Sequence, residues 1–404
     1  MKKTLISKVV AGALLAVGAN ASAQLSDDSV NIGVLTDLSG IYSAIEGPGG
    51  VLAAEMAIED FGGSVLGKEI VLTSADTQSK ADLSSSKARE MFERDNVDMI
   101  VGNVSTSSAL AAMEVADQMK RIALVTGAAS LPITNERCNA YTVHWVYDTY
   151  ALAHGTGDAV VATGKKTWFF VTADYAFGHT LERDTSEVVA AAGGEVLGSV
   201  KHPIRSTDFT SYLAQAQASG AQVIGLANAG GDTIGSIKQA SELGIMGSDQ
   251  TVVPLLMFSA DIQALGLRDT QGMNFTVGWY WDYNEANRQF SERFMEKFNG
   301  KAPTSVQAGV YSATLNYLKA IEAVGTDNSD KVMEYLKSTE IDDGLFKGTI
   351  RQDGKFAHDM YLLQVKSPSE SKNDNDIASV VRVIPAAQAS LPLDQSKCKL
   401  VTGS

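Results

Sequence analysis

The sequence predicts an α/β protein built as two doubly wound parallel-sheet lobes joined by a multi-crossover hinge. Three observations carry that expectation. Apolar runs of strand length alternate with helix-period segments along most of the chain. The runs are unbroken, as in Asp98–Gly102 (DMIVG) and Thr167–Val171 (TWFFV), which is how a parallel strand covered by helices on both faces reads. The alternation also starts twice, so the 404 residues divide more naturally into two domains than one.

The first segment is a leader. Lys2, Lys3 and Lys8 precede the short apolar run Val9–Val17, and Ala21-Ser22-Ala23 offers the small-x-small pattern of a cleavage site. Residues 1–23 are therefore expected to be a signal peptide, cleaved after Ala23 and directing export to the periplasm. No cysteine lies at the cleavage point to take a lipid anchor, and the apolar run is shorter than the ~20 residues that span a bilayer. Loss of three lysines from a chain of net charge −14 leaves −17.

The first alternating series then runs Val30–Thr36 (strand), Val51–Phe61 (helix, closed by Gly62-Gly63), Glu69–Ser74, Ala81–Arg94, Val97–Val101, Ser107–Lys120 and Ile122–Thr126. After a seam at Tyr141–Thr149 the second series takes Tyr150–Ala162 as helix, Thr167–Thr172 as strand and His179–Ala192 as helix. It continues through Glu195–Lys201, Phe209–Ser219, Val223–Asn228, Thr233–Leu243 and Val252–Met257 to a second seam at Phe275–Asp282. Asn284–Lys337 reads as helical. A hairpin of Gly348–Arg351 with Met360–Lys366 follows, turning at Asp353-Gly354, and Ser367–Asp376 is a polar loop. The expected division is 24–147 plus 280–337 for lobe 1, 148–279 plus 338–380 for lobe 2, and a tail at 381–404 tied back toward Cys138. Cys138 and Cys398 are the only cysteines; an even pair in an oxidising compartment reads as one disulfide, with two buried thiols as the alternative.

Composition excludes several function classes. The acidic balance repels phosphate backbones and anionic lipid, so neither nucleic acid nor a membrane is an expected partner, and no later stretch is apolar enough to span a bilayer. His144, His154, His179, His202 and His358 form no metal-ligand spacing, and two distant cysteines form none. Gly47–Gly50 lacks the dinucleotide spacing, and no G-x-S-x-G elbow or readable triad marks a hydrolase. No cofactor and no catalytic residue is expected. In open parallel sheets ligands sit at the carboxyl ends of strands, so the cleft between the lobes is the natural site. Ser105–Ser108 stands there between a strand and a helix, where main-chain amides and hydroxyls could hold a carboxylate or a serine could simply cap.

The order of Leu38-Ser39-Gly40, Gly47-Pro48-Gly49-Gly50, Ala57–Gly63 (AIEDFGG), Gly102–Ser108 (GNVSTSS), Thr126–Ser130 (TGAAS) and Ala173–Gly178 (ADYAFG) resembles the periplasmic solute-binding proteins of the Leu/Ile/Val-binding, type I family. Such a resemblance implies the type I periplasmic binding protein fold, no enzymatic activity, and a monomer that hands a small solute to the membrane permease of an ABC transporter; a sensory receptor of the same fold is the alternative. It implies that Ser105 and Thr106 hold a ligand carboxylate, with Ala128 and Ser130 as a second clamp. Where the family's amino acid binders carry an acid for the ligand ammonium, this chain aligns Phe258, followed by Asp261; Asp148, Asp174 and Asp232 are the other candidate partners. That departure favours an aromatic or short aliphatic organic acid over a branched-chain amino acid or amide. Segments His144–Gly157 (HWVYDTYALAHGTG) and Thr172–His179 (TADYAFGH) also resemble the organic-acid branch. Aromatic residues gather at the seams, among them Tyr42, Trp145, Tyr147, Tyr150, Tyr175, Phe177, Trp279, Tyr280 and Trp281, either lining a pocket or packing a hinge. The candidate ligand-binding set is Tyr42, Ser105, Thr106, Ala128, Ser130, His144, Tyr150, Phe177, Asn228, Phe258 and Trp279.

Overall fold

A computed structural model describes residues 25–403; the expected signal peptide lies outside them. The first sheet has six strands: Ser29–Thr36 (β1), Ser64–Val65 (β2), Lys68–Asp76 (β3), Met99–Gly102 (β4), Ile122–Val125 (β5) and Thr142–His144 (β6), in the order β2-β3-β1-β4-β5-β6. All pairs but β2–β3 are parallel. The runs that read as unbroken sit in the middle: β4 and β5 are buried at every residue. The second sheet carries Thr167–Ala173 (β7), Glu195–His202 (β8), Val223–Ala227 (β9) and Thr251–Pro254 (β10) in the parallel order β10-β9-β7-β8. Edge strand β8 alternates exposed and half-buried residues, as one covered face requires.

Helices Gly47–Phe61 (α1), Ala81–Glu93 (α2) and Thr106–Gln118 (α3) cross over in the first lobe. Gly47 and Pro48 are part of α1, proline falling where its missing N–H costs nothing. The helix Ser305–Val324 is buried along most of its length and opens on a capping box. There the Gln307 N–H donates to the Thr304 hydroxyl (3.2 Å) and the Thr304 N–H to Gln307 Oε1 (3.0 Å).

The structure refines the sequence reading in three places. The expected helix Tyr150–Ala162 forms, with a π-turn at Ala153–Gly157 set between Thr149–Leu152 and Asp158–Val161. Strand Asn274–Val277 (β11) presses on that turn; a Cβ at Gly155 would fall 2.2 Å from Thr276 Oγ1, and the Thr156 and Thr276 hydroxyls share a 2.9 Å hydrogen bond. The block 338–380 divides between the two sheets' surroundings. Glu340–Asp342 (β12), Lys347–Ile350 (β13) and Phe356–His358 (β14) form a small antiparallel sheet that meets β6 at the bridge His144–Lys355. Met360–Val365 (β15) pairs with β11 instead and Ala378–Ile384 (β16) with β15, and Leu363 and Val365 of β15 share a core with Val171 and Leu226 of the second sheet. The hairpin thus closes on Phe356–His358 and not on Met360–Lys366, because the tight Arg351–Gly354 turn, with the Gly354 N–H on the Arg351 carbonyl (3.0 Å), returns the chain at once. Third, β16 extends to Ile384, so the segment free of strand pairing starts after it. Cys138 and Cys398 are disulfide-bonded, closing a sequence separation of 260.

The lobes meet face to face. The Tyr42 and Tyr175 hydroxyls share a 2.7 Å hydrogen bond across the cleft, and the Arg205 guanidinium donates to the Gln78 carbonyl. At Gly230 (φ 57°, ψ −129°) a Cβ would stand 2.8 Å from the Ile41 carbonyl oxygen of the opposite lobe, an approach and a backbone that only glycine accepts.

Candidate functional site

A small cavity of about 10 Å3 lies between the lobes at the carboxyl ends of their strands. The first lobe contributes Tyr42, Ile45, Val104, Thr106, Gly127 and Ala129; Tyr147 stands at the crossover; the second lobe contributes Phe177, Ala229, Leu256 and Phe258. That is about the room one water needs, so as the lobes stand the residues that line it, not its volume, mark the site.

The two loops of the first lobe are stitched together. Gly102 (φ 114°) and Asn103 (φ 68°) turn the chain sharply out of β4. The Asn103 N–H donates to the Leu35 carbonyl (2.7 Å), Thr126 N–H to Gly102 O (3.0 Å), and Ala128 N–H to Asn103 O (2.9 Å). Ser105 occupies the position before α3 with extended dihedrals, but its hydroxyl makes no cap; it meets the Ser107 hydroxyl at 3.2 Å. The first-turn amides of α3 consequently lack a side-chain acceptor, as helix starts do without a cap. Thr106, the first residue of α3, is 1% exposed and faces the cavity, and its Oγ1 has no hydrogen-bond partner among the described residues. The buried Ser130 hydroxyl is likewise without a partner.

The remaining polar groups are mostly occupied. The Tyr147 hydroxyl donates to the Gly127 carbonyl (2.6 Å) and the ring meets Phe258 edge-on at 6.1 Å. Glu46 is buried behind the wall, accepting from the Thr36 and Thr126 hydroxyls; a Cβ on Gly127 would come within 3.0 Å of its Oε1. Burial lifts the Glu46 carboxyl to about 7, against the two threonine hydrogen bonds.

None of the four candidate ammonium partners lines the cavity. Asp148 is paired with Lys355 at 2.7 Å, both side chains buried, and caps the helix at Thr149 through the Ala151 N–H. Burial opposes its ionisation, but Lys355 and His144 hold its carboxyl below the ordinary value. Asp174 is exposed and meets His179 at 2.8 Å. Asp261 accepts from the Phe258 N–H (2.9 Å), and burial raises it to about 7. Asp232 accepts from the Arg205 N–H (3.1 Å), burial raises it to about 6, and its Oδ1 has no partner among the described residues.

Of the predicted set, the structure brings Tyr42, Thr106, Phe177 and Phe258 onto one cavity, with Ser105, Ala128 and Ser130 in the loops beside it. Four others stand off its wall. His144 Nε2–H donates to the Ala128 carbonyl (2.6 Å), which braces the loop from behind; burial lowers the imidazole to about 4, helped by Lys355. Tyr150 packs on His154 at 4.2 Å. Asn228 is saturated by His202, Ser236 and Thr233, leaving the next residue, Ala229, to face the cavity. Trp279 packs against Phe290 (6.0 Å) on the far side of Phe258. Sequence reasoning passed over Ile45, Val104, Ala229 and Leu256, ordinary apolar residues that only their place after a strand could have flagged, and Glu46, which precedes the Gly-Pro entry to α1.

A family model described as periplasmic binding protein matches residues 29–373. The curated "Leu/Ile/Val-binding protein homolog 6" of Brucella melitensis is 26% identical over 341 residues, spanning 82% of this chain and 86% of that one. Among solved structures, a periplasmic binding protein from Burkholderia mallei is 51% identical with a TM-score of 0.91, over 92% of this chain and 99% of that one. A branched-chain amino acid ABC transporter periplasmic ligand-binding protein from Burkholderia xenovorans is 40% identical with a TM-score of 0.83, over 92% and 100%.

Proposed function

From the premise that this chain belongs to the periplasmic binding protein family, the solute-binding component of ABC transporters and not an enzyme, we propose that its solute is a small monocarboxylate with an aromatic or compact apolar body. The observation that carries this reading is Thr106: a buried hydroxyl without a partner, on the first turn of a 13-residue helix, facing a cavity otherwise walled by rings and aliphatic groups. Such a hydroxyl costs roughly 1–3 kcal/mol while unsatisfied, and a carboxylate oxygen there would accept from it and from the helix-end amides. No arginine or lysine is needed, in keeping with the acidic chain. Ser105, Ala128 and Ser130 support this end, and Tyr42, Phe177 and Phe258 the body of the ligand.

Capture works through closure. A ligand that touches Thr106 on one lobe and Phe177 and Phe258 on the other gains all its contacts only when the lobes meet, so binding shifts the population toward the closed form. The closed pair of faces is then what a permease would read. The family implies a periplasmic location, in line with the expected leader at 1–23.

A second reading, an α-amino acid, draws on Asp232, whose Oδ1 has no partner among the described residues, and on the Brucella Leu/Ile/Val-binding homolog and the B. xenovorans branched-chain amino acid relative. Isothermal calorimetry with benzoate and with leucine separates the two. Benzoate binding that survives Asp232→Asn supports the monocarboxylate; leucine binding that Asp232→Asn abolishes, with benzoate inert, overturns it.

A further inference from the structure

Glu46 ties the carboxylate end of the site together from behind. It stands where a cap for α1 would, yet its side chain makes no cap hydrogen bond; the carboxyl turns instead to the ends of three strands. Oε2 accepts from the Thr36 hydroxyl at the end of β1, and Oε1 from the Thr126 hydroxyl just after β5 (2.6 Å). Its other neighbours there are glycines. A Cβ on Gly102, the last residue of β4, would stand 3.1 Å from Oε2, and one on Gly127 would stand 3.0 Å from Oε1. The two glycines leave the room that this carboxyl fills.

The titratable groups that face it are of the wrong sign to hold a negative charge. They are the Asp37 carboxyl after β1 and the Tyr147 hydroxyl at the crossover. From the helix Ser305–Val324, Gln307 brings only a neutral amide, which donates to the Glu46 carbonyl (3.3 Å). No cation pairs with Glu46 among the described residues, and burial outweighs the two threonine hydrogen bonds. Both protonation states nevertheless fit the same cradle. A hydroxyl can donate or accept, so Thr36 and Thr126 serve the carboxylate as two donors and the acid as one donor and one acceptor.

Only one residue separates this carboxyl from the ligand. Gly127 lines the cavity with Thr106, and so does Ile45, the residue before Glu46. A ligand carboxylate at Thr106 puts a second negative charge close by in a dry setting, and a like charge favours the neutral form of a carboxyl. Resting on the carboxylate reading above, we infer that solute capture is coupled to proton uptake at Glu46, so that the receptor takes up one anion and one proton together and releases them together. The coupling is reciprocal: the ligand holds the proton on Glu46, and the proton strengthens the hold on the ligand. In acid the proton is already in place and affinity is at its full value. As pH rises through the titration of the empty site, each anion must bring a proton with it, and affinity falls.

The test is calorimetry of benzoate binding to the exported full chain between pH 6 and 8, repeated in phosphate and in Tris, whose different heats of ionisation reveal protons taken up. Benzoate stays an anion over this range. The Kd is expected to rise ~10-fold from pH 6 to 8, with uptake approaching about one proton per benzoate at the upper end. Glu46→Gln keeps the shape and cannot ionise; it is expected to abolish the uptake and to flatten the pH profile to less than ~2-fold. Asp261 and Asp232, which burial also raises, to about 7 and about 6, are the rival sites, and uptake is expected to survive Asp261→Asn and Asp232→Asn. If Glu46→Gln does not fold, as judged by circular dichroism, Thr126→Val takes its place. It removes a donor to the carboxylate, so the fall in affinity is expected to start at higher pH; an unmoved profile counts against the inference. Benzoate binding without proton uptake, uptake that persists in Glu46→Gln, or uptake lost in either aspartate variant overturns the inference while leaving the carboxylate reading standing. No benzoate binding at any pH overturns both.

Discussion

The Tyr42–Tyr175 bridge offers the sharpest test of lobe closure, because its two hydroxyls meet across the cleft. Tyr42 is 2% exposed and Tyr175 half-buried, and their oxygens lie 2.7 Å apart. Tyr175→Phe strands the Tyr42 hydroxyl in a dry setting, at roughly 2 kcal/mol within the range for an unsatisfied buried group. That corresponds to a ~25-fold loss of affinity at 1.4 kcal/mol per decade, if closure and binding are one event. Tyr42→Phe strands the Tyr175 hydroxyl, whose ionisation burial likewise opposes, at a similar cost. The double variant strands nothing and forfeits only the net bond, about 1 kcal/mol or ~5-fold. The double should therefore bind more tightly than Tyr175→Phe alone. Calorimetric Kd values across the four proteins, with small-angle scattering to follow compaction on ligand addition, give the cycle. A double variant whose loss is the product of the two single losses would refute the reasoning, as would single variants that bind and compact like the parent.

Three further outcomes are expected. Thr106→Ala should weaken the bound monocarboxylate by ~1–3 kcal/mol; unchanged calorimetric affinity would remove that hydroxyl from the site. Glu46, lifted by burial from an ordinary 4.5 to about 7, contributes stability that is complete below pH 4.5 and lost as pH rises through 7. Buried His144 and His358, both lowered to about 4 chiefly by burial, have the opposite sign, so the readout is the parent minus Glu46→Gln. That difference in melting temperature should shrink and reverse between pH 5 and 8, and a constant difference would sink the assignment. Reducing the Cys138–Cys398 bond should release two titratable thiols and, for a loop of 260 residues, relax a constraint worth ~5 kcal/mol by chain entropy; an unaltered melting temperature after confirmed reduction would contradict it.

Much of this architecture was readable from unbroken apolar runs, because β4, β5 and β9 are buried throughout and a parallel strand between helices tolerates nothing polar. The loops that follow them were equally legible: a helix start with serine and threonine, and a small-residue turn after the next strand, put Thr106 and Ala129 on one cavity. Three kinds of information stayed hidden. The π-turn at Ala153–Gly157 depends on Thr276, 120 residues away in sequence from the Thr156 it bonds, and no local pattern announces it. The partner of Lys347–Ile350 was misread because two candidate strands followed one turn and the nearer prevailed. Among the aromatic residues, sequence could not separate Phe177, on the cavity, from Tyr150 and Trp279, off it; facing is set by tertiary contacts, not composition. His144 shows the same limit. Its position suggested a donor to ligand, whereas it spends that donor on the Ala128 carbonyl.

The covalent tie at Cys398 also decides which half of the molecule carries the carboxyl terminus. Cys138 follows β5 in the first lobe, and the Lys397 N–H donates to Asn135 beside it, so the last helical turn, Lys399–Thr402, rides with that lobe. A dye, bead or sensor surface attached after it would hold one shell still while the other swings. Immobilisation through this end should thus leave solute capture intact, and a donor–acceptor label pair with one dye there and one on the far shell would report each opening and shutting as a change in distance.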